Sequence, residues 1–178
     1  MDPGNEADYA DYVEQAWPSL VRAAVFLGAR PDEAEDLAQT TLVRCYTGWD
    51  RVRNADNRDA YVYRMLLNCL RDSRRTRWWK DRRYDDPLAL EQQDARRARS
   101  GGDATERVAI ADAVHRALGG LSKPNRDVVV LRYFVQLSEK QTAAVLGVPA
   151  GTVKSRLSRA LAHLATNDHL LDIAGERQ

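Results

Sequence analysis

Apolar residues recur at steps of three and four along most of this 178-residue chain, the spacing that gives a helix one continuous apolar face. Strand signals are nearly absent. The one run of β-branched residues, Val128 to Val130, sits inside a longer helical pattern, and no Asn-Gly or Asp-Gly hairpin turn occurs. With 44% apolar and 30% charged residues there is enough apolar surface for packed cores, so the expected fold is all-α.

A first helix is expected from about Asp8 to Leu27, closed by Gly28. A second opens at Pro31, where proline suits the first helical position and Asp32 and Glu33 favour the positive end of the dipole. Ala34, Leu37, Ala38, Leu42, Cys45 and Trp49 make its inward stripe, with Thr41 filling in. Asp36, Gln39 and Thr40 share the other side. A polar loop from Arg51 to Asp59 leads to a third helix that starts near Ala60 and buries Val62, Met65, Leu66 and Cys69. Its outer face carries Tyr61, Arg64, Asn68, Arg71 and Arg75 at offsets of three and four, so they form one ridge. That ridge runs into Arg77, Trp78, Trp79, Lys80, Arg82 and Arg83. Aromatic stacking faces beside phosphate-binding cations are what single-stranded nucleic acid requires. A surface helix that lays arginine stems over a small core is the plainer alternative.

From Tyr84 to Thr105 the periodicity breaks into Asp-Asp-Pro, Gln-Gln and Ser-Gly-Gly, which reads as a flexible linker between two small helical domains. Helical order returns at Glu106, with Ile110, Ala111, Val114, Leu118 and Leu121 facing inward. Ser122 is the expected N-cap of the next helix, with Pro124 in its first turn and Val128, Leu131 and Val135 as core contacts. Ser138 and Gln141 then form a capping box, Gly147 supplies a left-handed helix end, and Val148 and Pro149 lead into a second helix. Small Ala143 permits close helix approach, and Val153, Leu157, Ala160, Leu161 and Leu164 give the second helix a buried stripe. Together these residues describe a helix-turn-helix. Lys154, Ser155, Ser158 and Arg159 project from the opposite face, where a recognition helix reads the major groove; Arg156 either reaches a phosphate or covers the helix flank.

The net charge of +1 hides an uneven distribution. Residues 1 to 40 hold two Arg against nine acids, whereas residues 41 to 83 hold twelve Lys and Arg against five, seven of those bases lying between Arg71 and Arg83. A basic block suits a polyanion and an acidic block suits a basic protein surface, so two kinds of partner are expected. Cys45 and Cys69 are the only cysteines and show no zinc or redox spacing, which points to a reducing cytoplasm. The acidic N-terminus does not read as a signal peptide, and no apolar run is long enough for a membrane helix, so no membrane insertion is expected.

In this order the residues resemble the extracytoplasmic-function (ECF, group 4) sigma factors of bacterial RNA polymerase, in the sigma-70 family. The string from Glu33 to Arg44 is similar to that family's region 2.2, whose exposed acid and glutamine dock on the β′ clamp helices of core polymerase; the resemblance assigns that role to Asp36, Gln39 and Thr40. The string from Tyr61 to Arg75 resembles the helix that melts and reads the −10 element as single-stranded DNA, and the preceding loop pockets a flipped base in that family. The resemblance thus implies −10 contacts from Asn54, Asn57, Arg58, Tyr61, Arg64, Asn68, Arg71 and Arg75. Gly151 to Ala160 is similar to region 4.2, which reads the −35 element as duplex, and implies contacts from Lys154, Ser155, Arg156, Ser158 and Arg159. Thr40 stands where an acid is common, and Tyr46 and Tyr61 where tryptophan is common.

The implied organisation is region 2 over residues 1–83, a linker over 84–105, region 4 over 106–167 and a tail over 168–178. The implied partners are core polymerase, through its β′ clamp helices and β flap, promoter DNA, and an anti-sigma protein that occludes the docking surfaces. No cofactor and no catalytic role are expected. A stand-alone helix-turn-helix regulator is a rival reading, but the sequence offers it no dimerisation helix or ligand pocket. A metal-dependent enzyme built on His115, His163 and His169 is another, and the six-residue step between the last two does not place them on one helix face.

Overall fold

The structure is a computed structural model and describes residues 3–81 and 104–166. Among these residues all regular structure is helical, in the order α1 (Pro3–Phe26), α2 (Pro31–Thr47), α3 (Trp49–Arg53), α4 (Arg58–Asp81), α5 (Ala104–Gly119), α6 (Lys123–Val129), α7 (Glu139–Leu146) and α8 (Ala150–Leu164). The expected linker lies almost wholly outside the described residues, as do the side chains from Arg77 onward that extend the basic ridge.

Local chemistry accounts for most helix boundaries. Gly28 adopts φ +91°, which a side-chain-bearing residue would resist, and it ends α1 where the sequence places the stop. The start of α1 lies five residues earlier than the apolar pattern indicates, because the first turns are polar and leave no stripe to read. Pro31 opens α2, and Asp32 and Glu33 fill its first turn. The expected single helix through Trp49 is broken at Gly48: α2 ends at Thr47, and Trp49 begins the separate short helix α3. The polar loop is correspondingly shorter, because Asp50 to Arg53 are helical and Val52 is fully buried. The helix reached by α6 continues as a π-helical turn over Val130–Phe134 and stops at Gln136, a non-glycine residue at φ +60°. Ser122 occupies the predicted N-cap position, but its side chain accepts no capping hydrogen bond.

In the first unit, α1, α2 and α4 pack around Leu20, Leu27, Leu66, Leu67 and Leu70, all essentially inaccessible. Each such leucine contributes about 1.5–3 kcal/mol by leaving water. Tyr9 and Trp49 stack edge to face at 5.2 Å, and the indole N–H of Trp49 donates to Asp8 at 3.1 Å, which fastens α3 to α1. In the second unit, α6, α7 and α8 enclose Val128, Leu131, Val145, Val153 and Ala160. Two expected inward residues face water instead. Ala111 is exposed while Ala113 and Ala117 are buried, and Leu161 keeps 40% of its surface; on these short amphipathic helices the buried stripe is narrower than the apolar pattern.

The two units pack on each other. Contacts run from α1 to α5 and to the π-helical turn, and from α4 to α7, and Phe26 meets Phe134 with ring centroids 4.5 Å apart. An apolar cavity of about 410 Å³ remains along this seam, between Ala23 and Phe26 on one side and Ile110, Val114 and Val135 on the other.

Candidate functional site

Three polar faces stay in solvent while the apolar faces of their helices are buried. On α2, burial of Ala34, Leu37, Ala38, Thr41 and Leu42 turns Asp36, Gln39 and Thr40 outward together, as the spacing requires. Thr41 satisfies its buried hydroxyl by donating to the Leu37 carbonyl at 2.7 Å. Val43, 56% exposed, continues the outward face by one turn; an apolar residue out of step with the buried stripe is the sequence signal that marks it.

On α4, Val62, Leu66, Cys69 and Leu70 are buried, and Tyr61, Arg64, Asn68, Arg71 and Arg75 are exposed along the other side. Met65 is only half-buried. Asn68 accepts from Arg71 at 3.3 Å, and Asp72 lies 3.5 Å from Arg75 on the same helix and 3.8 Å from Arg44 on α2. The tyrosine ring at one end of that side is 40% exposed and available to stack.

The loop residues before α4 have local partners that the sequence reading did not assign. The Asn57 side chain accepts from the Ala60 backbone N–H at 2.6 Å, the geometry of an N-terminal cap for α4. Asn54 donates its side-chain amide to the Asp50 carbonyl at 2.8 Å, closing α3. Arg58 is half-buried with its guanidinium 5.4 Å from the Tyr12 ring centre and 5.3 Å from that of Trp49. The structure therefore sets Arg58 apart from the exposed ridge. Burial, followed by the nearby Asp59 charge, pushes the Tyr12 phenol upward, with Arg58 opposing. Beneath the ridge, burial pushes the Cys45 thiol up to about 11, with Cys69 adding to the shift.

The third face belongs to α8. Ser138 accepts from the Gln141 N–H at 3.2 Å while the Gln141 side chain accepts from the Ser138 N–H at 2.7 Å, which completes the predicted capping box on α7. Gly147 sits at φ 68° and ψ 39°, the left-handed end expected there, and Pro149 is the N-cap of α8. Val153 and Ala160 are buried, Leu157 and Leu164 partly so, and Lys154, Ser155, Ser158 and Arg159 project outward. Arg159 donates back to the Ser155 carbonyl at 3.2 Å, and Arg156 lies half-buried on the flank. This is a helix-turn-helix with a basic outer face on its second helix.

Residues 4–80 match the family model "Sigma-70 region 2" and residues 111–164 match "Sigma-70, region 4". The RNA polymerase sigma-E factor of Streptomyces avermitilis is 39% identical over 164 residues, covering 92% of this chain and 87% of that protein. This chain is an ECF sigma factor of the sigma-70 family. The ECF RNA polymerase sigma factor SigW of Bacillus subtilis is 26% identical and covers 88% of it. Among solved structures, the sigma factor RpoE of Bartonella quintana, in complex with the anti-sigma factor NepR, matches with a TM-score of 0.68 at 26% identity, over 88% of this chain and 94% of that one. CnrH, in complex with the cytosolic domain of CnrY, matches with a TM-score of 0.64 at 26% identity, over 96% of this chain and 91% of that one. As a sigma factor the chain serves promoter-specific transcription initiation, with α1–α4 forming the region 2 match and α5–α8 the region 4 match. Among the described residues no helix is long and apolar enough to cross a membrane.

Proposed function

We propose that this sigma factor docks on the β′ clamp helices of core polymerase through Asp36, Gln39 and Thr40, captures the unpaired −10 strand on the α4 ridge, and reads the −35 duplex with α8. The observation that carries this reading is the joint exposure of three polar faces on helices whose other faces are closed into cores. Tyr61, Arg64, Asn68, Arg71 and Arg75 form the strand-binding surface, and Lys154, Ser155, Ser158 and Arg159 contact bases and phosphates, with Arg156 on the flanking backbone. Asn54 and Asn57 shape the preceding loop, and Arg58 supports it from beneath.

Extruding a base costs a few kcal/mol, which polymerase-supported contacts must offset. The chain alone therefore binds promoter duplex weakly and acts without a catalytic step of its own, in the cytoplasm where the polymerase is. Region 4 additionally rests against the β flap. The two similar solved structures, one holding the anti-sigma factor NepR and the other the cytosolic domain of CnrY, support an anti-sigma protein as a further partner.

Permanganate footprinting of the −10 thymines tests the ridge. Replacing Arg64 and Asn68 together by alanine is expected to lower strand opening at least tenfold, because base-aligned contacts are worth about 1–3 kcal/mol each. Polymerase binding is expected to persist. Undiminished opening would contradict the assignment.

A further inference from the structure

At the seam between the two units, the α1–α2 turn and the α5–α6 corner border a half-open chamber of about 310 Å³ that the promoter-reading scheme does not use. Phe26, Gly28 and Arg30 line it from one unit, and His115, Gly119 and Arg126 from the other. Arg126 approaches Gly28 so closely that a Cβ there would stand 2.7 Å from its Nη2. Arg74 arrives from α4 and donates to the carbonyls of Leu27 and Gly28 at 3.3 and 2.7 Å. Two guanidiniums therefore converge on one glycine.

Their satisfaction is unequal. Arg74 has the carbonyls at the end of α1, whereas Nε of Arg126 is buried without a hydrogen-bond partner, as is Nδ1 of His115. Arg30 is paired with Asp32. Asp127, next in sequence to Arg126, accepts at Oδ2 from Lys123 Nζ at 2.5 Å and keeps Oδ1 buried and unpaired. Burial lowers the Arg126 pKa, Asp127 opposes that, and Arg74 lowers it further. A partly desolvated guanidinium beside a second one is destabilised unless an acceptor of opposite charge joins it. An oxyanion supplies both the charge and several oxygens, and a tetrahedral phosphate can accept from a guanidinium and an imidazole at once.

We propose that the chamber between Gly28, His115 and Arg126 binds a phosphate group, held by Arg126 and His115, and that the bound phosphate fastens the two units together. The proposal rests on the two-unit sigma-factor reading. Because the walls come from both units, a ligand seated there binds the packed arrangement and not a separated one, and so shifts the population toward packing. The chamber has room for more than a bare ion, so inorganic phosphate and a nucleoside phosphate are the two sources of the group.

The test uses the full chain. Ring ¹H–¹⁵N spectra of its three histidines are recorded while inorganic phosphate, ADP or sodium chloride is added at matched ionic strength. A saturable shift of the His115 resonance is expected with phosphate or ADP and not with chloride; the tighter of the two identifies the source. Arg126→Gln is expected to weaken binding about tenfold, the equivalent of one charged hydrogen bond. His115→Gln, followed by calorimetry, is expected to weaken it too and serves if Arg126→Gln does not fold. The site is refuted if His115 responds alike to chloride and phosphate, or if phosphate binding survives both variants and disappears only when Arg71 and Arg75 are replaced. Promoter-directed RNA synthesis by the unaltered chain with core polymerase, run in parallel, judges the sigma-factor reading independently: its failure beside a phosphate-responsive His115 would sink that reading and leave the site standing.

Discussion

Gly28 joins local backbone conformation to long-range packing. Its φ of +91° ends α1, and its missing side chain admits both Arg74 and Arg126. Gly28→Ala is expected to cost about 1–2 kcal/mol from the positive φ alone. The cost appears as a lower urea midpoint, and an unchanged midpoint would show that the turn relaxes freely. The conformational part of this was legible, since a glycine after an amphipathic run predicts a helix end; the two arginines were not, because they arrive from α4 and α6, far away in sequence. Arg58 teaches the same lesson from the other side. The family resemblance assigns it a −10 contact; the fold adds that Tyr12 and Trp49 hold it half-buried, and no local pattern signals a cation beside rings from α1 and α3. Asn57 could have been read, since an asparagine just ahead of a helix is a common cap.

Helix ends set by side-chain chemistry were the most legible elements. The box of Ser138 with Gln141 and the left-handed Gly147 bracket α7 as the sequence indicates, and they fix the angle at which α8 presents Lys154 and Arg159. Ser138→Ala is expected to lower stability by about 1 kcal/mol with no change in the denaturant slope. A loss below a few tenths would mean that packing, and not the cap, holds this end. Short or irregular elements escaped. Five-residue α3 is too brief to show a period, and the π-helical turn over Val130–Phe134 changes the hydrogen-bond register without changing composition. The outward faces of α2 and α4 were legible because three- and four-residue spacing fixes which side chains share a face once the buried stripe is known.

The packing of one unit on the other had no signature in the sequence, since Phe26 and Phe134 read simply as apolar residues near helix ends. It has a consequence for promoter reading. The described residues form a packed body about 40 Å across, whereas elements nominally about 25 base pairs apart lie about 85 Å apart along duplex DNA. The 22 residues 82–103, between α4 and α5, can span at most about 75 Å if fully extended, so separating the units brings both elements within reach. Fluorescence transfer between labels on α1 and α8 is expected to report a separation increased by tens of ångströms in the promoter complex, and Phe134→Ser is expected to raise the separated fraction of the free chain several-fold. An unchanged distance on promoter binding would contradict this opening. All of these steps depend on attachment to the polymerase, and the most direct measurement is promoter-directed RNA synthesis by core enzyme supplied with Asp36→Lys. Asp36 is exposed, so the variant is expected to keep its helicity while RNA synthesis and co-purification with core enzyme fall at least tenfold; full synthesis by a folded Asp36→Lys chain would contradict docking through α2.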